Sequence, residues 1–251
     1  MTDAMEAEFD TVAGWTAQVA VELGPDYYLP AGCRGSGSPA ALDWLIERME
    51  LAPDATLLDS GAGVGGPAAY AARSGAVRPV LVEPETGACR AARKLFGFPV
   101  VCATGSALPV RDASFDAAWS LGVLCTTPDQ LALLTELHRV VRPSGRIGLL
   151  VFVARRDVPS NSLEGNHFPT PSGLREMFAR AALHVEQWLG TSALPPIDDT
   201  WNERLDTVES VLGGRHGHTE AWQVAERQSS TIGRLLGDGT LTGELLVLRR
   251  A

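Results

Sequence analysis

Residues 57–67 read LLDSGAGVGGP, and this stretch decides the fold. The apolar run 55–58 is rich in strand formers, and Asp59 follows it. A glycine cluster comes next, and Pro67 can open a helix because its missing N–H would have no intrahelical partner there. The glycines permit a sharp turn and let the backbone approach a ligand closely. The stretch therefore predicts a strand, a tight turn and a helix around a ligand site, the alternative being a turn that binds nothing.

A second apolar run, residues 79–82, ends in Glu83, about 20 residues beyond the glycine loop. A second parallel strand would finish there, and its carboxylate could accept hydrogen bonds from both hydroxyls of a ribose. The alternative is a solvated acid at a strand end. Asp59 stands two positions before Gly61 and would repel a pyrophosphate, whereas it suits a ligand with a cationic sulfonium and an ammonium group.

From Asp59 to Gly66 the sequence resembles motif I of the class I S-adenosylmethionine-dependent methyltransferases, within their small-molecule group. The likeness continues through residues 103–109, 114–124 and 140–146 and covers about residues 52 to 153. It implies S-adenosyl-L-methionine as cofactor and an α/β fold. That fold is a Rossmann-like seven-stranded sheet with N-terminal helices and a helical insertion before the last strand. Two alternatives stay open: a non-catalytic S-adenosylmethionine-binding protein and a nicotinamide-dependent oxidoreductase.

The resemblance also implies which residues contact the cofactor. Relatives usually have an acid at the position of Thr104, where it binds the adenine amino group, and this chain keeps only a hydroxyl there. Backbone groups of Gly105 and Ser106 could serve instead. Tyr28 and Arg34 would close the methionine end, with Arg34 pairing with its carboxylate; the alternative is a surface arginine in a flexible loop. The expected contacts are Asp59, Gly61, Ala62, Gly63, Glu83, Pro84, Thr104, Gly105, Ser106, Leu121, Tyr28 and Arg34.

A polar loop, residues 154–168, follows the fifth expected strand at the edge where α/β folds carry out chemistry. His167 is the first candidate for a general base because an imidazole can take a proton near neutral pH. Glu164 is the second candidate, and an ordinary polar loop is the alternative to both. A base is required only if the acceptor is a hydroxyl or a carbon acid. The sequence does not identify the acceptor.

The chain of 251 residues predicts one methyltransferase domain. Its expected parts are an N-terminal helical segment (1–50), the cofactor-binding core (52–189), a helical insertion (190–240) and the last strand (241–251). Two apolar stripes in the insertion predict two helices divided by Gly213 and Gly214. These helices would form a cap over the acceptor, pack against the sheet, or provide a dimer face.

Composition limits the partners. A formal charge of −9 disfavours a nucleic-acid surface. Four scattered cysteines predict neither a zinc cluster nor a disulfide framework, and His216 and His218 are expected to be solvated rather than metal ligands. The acidic N-terminus has no apolar signal region, and no apolar run approaches 18 residues. We therefore expect a cytoplasmic protein without membrane insertion that acts on a small, partly apolar molecule, with a homodimer as a possible assembly.

Overall fold

The computed structural model describes residues 3–75, 77–158, 163 and 165–250. Within them, seven strands form one sheet in the order β3-β2-β1-β4-β5-β7-β6. The first five run parallel, and β7 is antiparallel to both of its neighbours. The strands are β1 (Thr56–Ser60), β2 (Arg78–Glu83), β3 (Val100–Cys102), β4 (Phe115–Leu121), β5 (Val141–Ala154), β6 (Leu183–Gly190) and β7 (Leu241–Arg250).

Helices cover both faces of the sheet, and several begin at the caps that the sequence provides. The Ser38 side chain accepts a hydrogen bond from the Ala41 N–H at the start of one helix, and the Thr170 and Thr219 side chains cap two later helices in the same way. A proline follows the cap at Ser38 and at Thr170. The helices are α1 (Asp3–Leu23), α2 (Tyr28–Gly32), α3 (Pro39–Met49), α4 (Gly66–Gly75), α5 (Thr86–Phe96), α6 (Gln130–Val140), α7 (Pro171–Arg180), α8 (Asp199–His216) and α9 (Glu220–Gly237). The expected α/β architecture, with N-terminal helices and a helical insertion before the last strand, is confirmed.

Alternate residues of each central strand enter different cores. Leu58 and Leu149 pack on the α6 and α7 side, whereas Leu57 and Trp119 pack on the α3 side. A third cluster joins α1 and α5 to α8 and α9. The insertion therefore packs against the N-terminal helices.

Two local expectations are wrong. The glycine- and proline-rich stretch 26–39 is predicted from its sequence to be a loop, but the 3₁₀ turn Pro25–Tyr27 overlaps its start and α2 lies within it. Gly213 and Gly214 do not divide the insertion: they lie inside α8, and the break comes at residues 217–219. Two glycines cost a helix roughly 2 kcal/mol together, and burial of α8 side chains can offset that amount. His216 is half-buried, and its ring stacks on Trp15 with centroids 3.8 Å apart.

Among the described helices, none combines the length and apolar character needed to cross a bilayer. All the residues that the structure describes, in helices and elsewhere, contain no cluster of three or more acidic, histidine or cysteine side chains that could hold a metal ion.

Candidate active site

The carboxyl ends of β1, β2 and β4 meet around the glycine loop. The loop is fixed by the Gly61 N–H, which donates to the Val82 carbonyl at 2.8 Å. Gly61 has φ +75°, and a Cβ placed there would lie 2.3 Å from a methyl carbon of Val123. Glycine is required at this position by conformation and by space together.

Glu83 lies at the end of β2 with its carboxylate against the loop. The side chain is 6% exposed, and it accepts the N–H groups of Gly63 at 2.8 Å and of Glu85 at 3.1 Å. Burial raises the pKa of Glu83 to about 7, while these two hydrogen bonds act in the opposite direction. A buried carboxylate beside a glycine loop can accept hydrogen bonds from ligand hydroxyls.

Asp59, the last residue but one of β1, is more deeply enclosed. Its side chain is 2% exposed, and its Oδ2 atom has no hydrogen-bond partner among the described residues. Asp59 lies opposite Trp119 of β4 in the strand register, and the indole N–H is also unpartnered there. Burial raises the pKa of Asp59 to about 7, and the charge of Glu83 adds to this rise, whereas the nearby Trp119 indole and Ala68 backbone N–H groups act in the opposite direction. An unpartnered buried carboxylate can be stabilised by a cationic ligand group.

Residues 32–35, which we call the N-terminal cover, lie over this edge. A Cβ on Gly66 would be 2.1 Å from the Gly32 carbonyl carbon, so α2 touches the start of α4 backbone to backbone. A Cβ on Gly122, directly after β4, would be 3.0 Å from the Gly35 carbonyl oxygen. The cover therefore spans from the glycine loop to the end of β4.

Tyr28 and Arg34, the two residues expected to close the site, contact other side chains of the protein. Tyr28 packs edge-on against Phe96, with ring centroids 6.4 Å apart. Arg34 forms an ion pair with Glu209 of α8, and its guanidinium carbon lies 5.6 Å from the centre of the Trp222 ring of α9. The role of Arg34 toward a methionine carboxylate stays a prediction.

The adenine-side residues follow β3, which pairs with β2. Thr104 is exposed, and the Ser106 hydroxyl reaches its Oγ1 atom at 3.5 Å. A Cβ on Gly105 would lie 2.7 Å from the Ser60 hydroxyl oxygen, so the backbone passes close to the end of β1. The expected contacts that lie at this edge are Asp59, Gly61, Ala62, Gly63, Glu83, Pro84, Thr104, Gly105, Ser106 and Leu121.

His167 also lies at this edge, although its side chain is exposed. Its backbone N–H donates to the Cys125 carbonyl at 2.7 Å, and the Gln130 side chain donates to the His167 carbonyl at 2.6 Å. The peptide is therefore held beside the segment that follows β4. Glu164, the second candidate base, lies outside the described residues.

Several residues of the site were missed. Trp119 lies within a quoted motif, but its pairing with Asp59 depends on strand register. Gln130, Glu209 and Trp222 carry no sequence signal for a site, because each acts across a long separation in the chain.

Comparison with known proteins supports the methyltransferase fold. Residues 58–149 match the family model described as methyltransferase domain. This chain carries a class I S-adenosylmethionine-dependent methyltransferase domain. The 24-methylenesterol C-methyltransferase 2 of Oryza sativa subsp. japonica is 36% identical over 108 residues, which make up 40% of this chain and 30% of that protein. The malonyl-[acyl-carrier protein] O-methyltransferase of Pseudescherichia vulneris is 27% identical over 187 residues, 70% of this chain and 71% of that protein.

A solved structure, the [4+2]-cyclase SpnF, shares the fold of the methyltransferase domain. It superposes with a TM-score of 0.66 at 22% identity, covering 83% of this chain and 79% of that one. S-adenosyl-L-methionine is the cofactor of this class of domain. The site fits it, because the Oδ2 atom of Asp59, which has no partner among the described residues, suits a cationic group, and Glu83 suits ribose hydroxyls.

Proposed function

We propose that the protein transfers a methyl group from S-adenosylmethionine to a small, partly apolar molecule, at an oxygen, carbon or nitrogen atom. The observation that carries the proposal is the pair of buried carboxylates, Asp59 and Glu83, at neighbouring strand ends beside the glycine loop. Asp59 in particular disfavours a dinucleotide pyrophosphate, which argues against the nicotinamide alternative, whereas Glu83 suits the ribose of either ligand.

When bound, the cofactor supplies a methyl group that a positively charged sulfur already activates. The protein then chiefly holds the accepting atom in line and excludes water, and such positioning can contribute several kcal/mol. The N-terminal cover is placed to exclude water from the glycine loop and the end of β4.

The insertion supplies the cap over the acceptor. Near the start of α9, the Trp222 ring lies under Arg34 of the cover. Near its end, Leu235 packs in one cluster with Leu163 and Phe168 of the loop that carries His167. Because α9 joins the cover to this loop, we favour a cap over a dimer face. The negative charge of the chain and the apolar side chains of α9 together support a small, partly apolar acceptor over a nucleic acid.

His167 is the proposed general base for acceptors that must lose a proton. The test uses methyl-labelled S-adenosylmethionine with a panel of small hydroxylated and amine-bearing molecules, and follows label in the product. His167→Ala should reduce transfer to a hydroxyl acceptor by about 10²-fold or more while the affinity for the cofactor stays unchanged. His218→Ala, at an exposed position between α8 and α9, is the matched control and should retain activity. Equal activity in both variants would remove His167 from the reaction.

A second candidate is a protein that binds the cofactor without transferring its methyl group. The exposed Thr104, in place of an acid, favours it, and the structural neighbour SpnF is named for a cyclisation. Tight cofactor binding with no label transferred to any acceptor would support this candidate over methyl transfer.

We also propose that residues 1–251 act as one domain in the cytoplasm. Cys33, Cys89, Cys102 and Cys125 are all free thiols, which is compatible with a reducing compartment.

A further inference from the structure

A cavity lies beside the two ends of the loop that carries His167. Its volume is about 690 Å³, and it is lined by Arg155, Pro171, Arg175, Val185, Trp188 and Glu244. Arg155 directly follows β5, and Pro171 begins α7, so the two ends of the loop flank the cavity. None of these residues belongs to the expected cofactor contacts.

The floor of the cavity is a fully satisfied buried acid. Glu244 is 3% exposed and accepts hydrogen bonds from the Trp188 indole N–H at 2.7 Å and from the Thr242 hydroxyl at 2.7 Å. Arg155 forms an ion pair with the same carboxylate, and its Nε–H donates to the Thr242 hydroxyl at 2.8 Å. The network neutralises Glu244 and holds the Arg155 guanidinium in one orientation.

Arg175 supplies a second guanidinium, and no described acid lies within ion-pair distance of it. Its guanidinium carbon lies 4.8 Å from the centre of the Trp188 ring, and among the described residues its hydrogen bond is a long one, 3.5 Å, to the Pro171 carbonyl. When one face of a guanidinium stacks on an indole, its N–H groups still point outward in the plane of the guanidinium. They can bind a planar anion there through two parallel hydrogen bonds.

Charge and shape together select the ligand. The cavity holds two guanidinium groups and one carboxylate, so it has a net charge of about +1 in a chain with a formal charge of −9. One positive charge matches a carboxylate better than a doubly charged phosphate. Trp188 and the exposed Val185 provide an apolar wall for the body of the ligand.

The cavity lies level with the cofactor edge. The Gly122 N–H after β4 donates to the Leu150 carbonyl of β5, and the next β5 residue, Val151, pairs with Glu244. Strands lie about 4.8 Å apart, so β7 is roughly 10 Å from β4, and β6, which carries Trp188, is roughly 14 Å from it. An organic acid with an extended apolar body can span that distance.

We propose that this cavity binds the carboxylate of an apolar organic acid, and, resting on the proposed function, that this acid is the methyl acceptor. Benzoate is the probe, with benzyl alcohol as its uncharged counterpart and inorganic phosphate as the competing anion. Calorimetric titration of the full chain should show benzoate binding, with benzyl alcohol and phosphate at least tenfold weaker.

Arg175→Gln should weaken benzoate binding at least tenfold, and Arg175→Lys should weaken it less because the charge remains. Arg180→Gln, another exposed arginine of α7 that does not line the cavity, is the matched control and should bind benzoate within twofold of wild type. Thermal unfolding of each variant reports whether it is folded.

Absence of benzoate binding to the wild type, equal weakening in Arg175→Gln and Arg180→Gln, or a preference for phosphate would overturn the proposal. S-adenosylmethionine is titrated into the same preparation. Cofactor binding without benzoate binding removes the carboxylate site alone, whereas loss of cofactor binding contradicts the proposed function itself.

Discussion

Replacement of Gly66 by alanine tests the contact between the N-terminal cover and the glycine loop. Gly66 begins α4, where helix propensity by itself would favour alanine. The added Cβ would lie 2.1 Å from the Gly32 carbonyl carbon and 2.4 Å from the Cys33 nitrogen. Both are backbone atoms, so neither can move away by rotation of a side chain.

Overpacking of this kind costs about 1–3 kcal/mol. For a chain of this size, each kcal/mol shifts the melting temperature by about 2–4 °C, so Gly66→Ala should melt roughly 2–12 °C below the wild type. The variant should also bind S-adenosylmethionine more weakly, because relief of the clash moves α2 and with it the cover.

The assay is thermal unfolding followed by calorimetric titration with the cofactor. Gly214→Ala is the matched control, because a Cβ at Gly214 meets no atom within 4 Å inside α8. That control should gain about 0.4–1 kcal/mol of stability. A Gly66→Ala protein that melts at or above the wild-type temperature with unchanged cofactor affinity would refute the close contact.

Three further predictions concern charge and thiols. The pKa of Asp59 is raised from 3.8 to about 7 on folding, so the folded chain binds more protons and the free energy of unfolding falls as pH rises from about 4 to 7. In thermal melts between pH 5 and 8, Asp59→Asn should therefore lessen the fall in stability with pH. The same dependence of stability on pH in the variant and the wild type would contradict this prediction. Iodoacetamide followed by peptide mass mapping should label the exposed Cys102 well before the buried Cys33, whose pKa burial raises; equal labelling would contradict the buried placement. Glu209→Gln should weaken S-adenosylmethionine binding by up to about fivefold, because Arg34 and the cover lose the ion pair that holds them against α8. Glu22→Gln, which breaks a different ion pair between α1 and α8, should leave the affinity unchanged, and equal effects of the two substitutions would show that the Arg34 pair has no special role.

The sequence predicts well what local chemistry determines. The glycine loop, the acids that end β1 and β2, and the caps of α3 and α7 each depend on a few adjacent residues. The order of alternating strands and helices then fixes the parallel part of the sheet, since each crossover must place a helix on one face.

The sequence predicts poorly what depends on distant partners. Arg34 and Glu209 are 175 positions apart, and no spacing pattern announces their ion pair. The stack of Trp15 on His216 likewise joins opposite ends of the chain. The predicted break at Gly213 and Gly214 is wrong because helix propensity is local, whereas α8 is stabilised by its packing against α1 and α2.

The central claim is that this edge binds S-adenosylmethionine, and calorimetric titration at pH 8 tests it most directly. S-adenosylmethionine, its demethylated product and NAD are titrated into the wild type, Glu83→Ala and Glu50→Ala, the last removing an exposed acid at the opposite edge of the sheet. The account predicts binding of the first two ligands, weakened by about 1–3 kcal/mol in Glu83→Ala alone. Binding of NAD in preference to both, or equal affinities in the two variants, would contradict it.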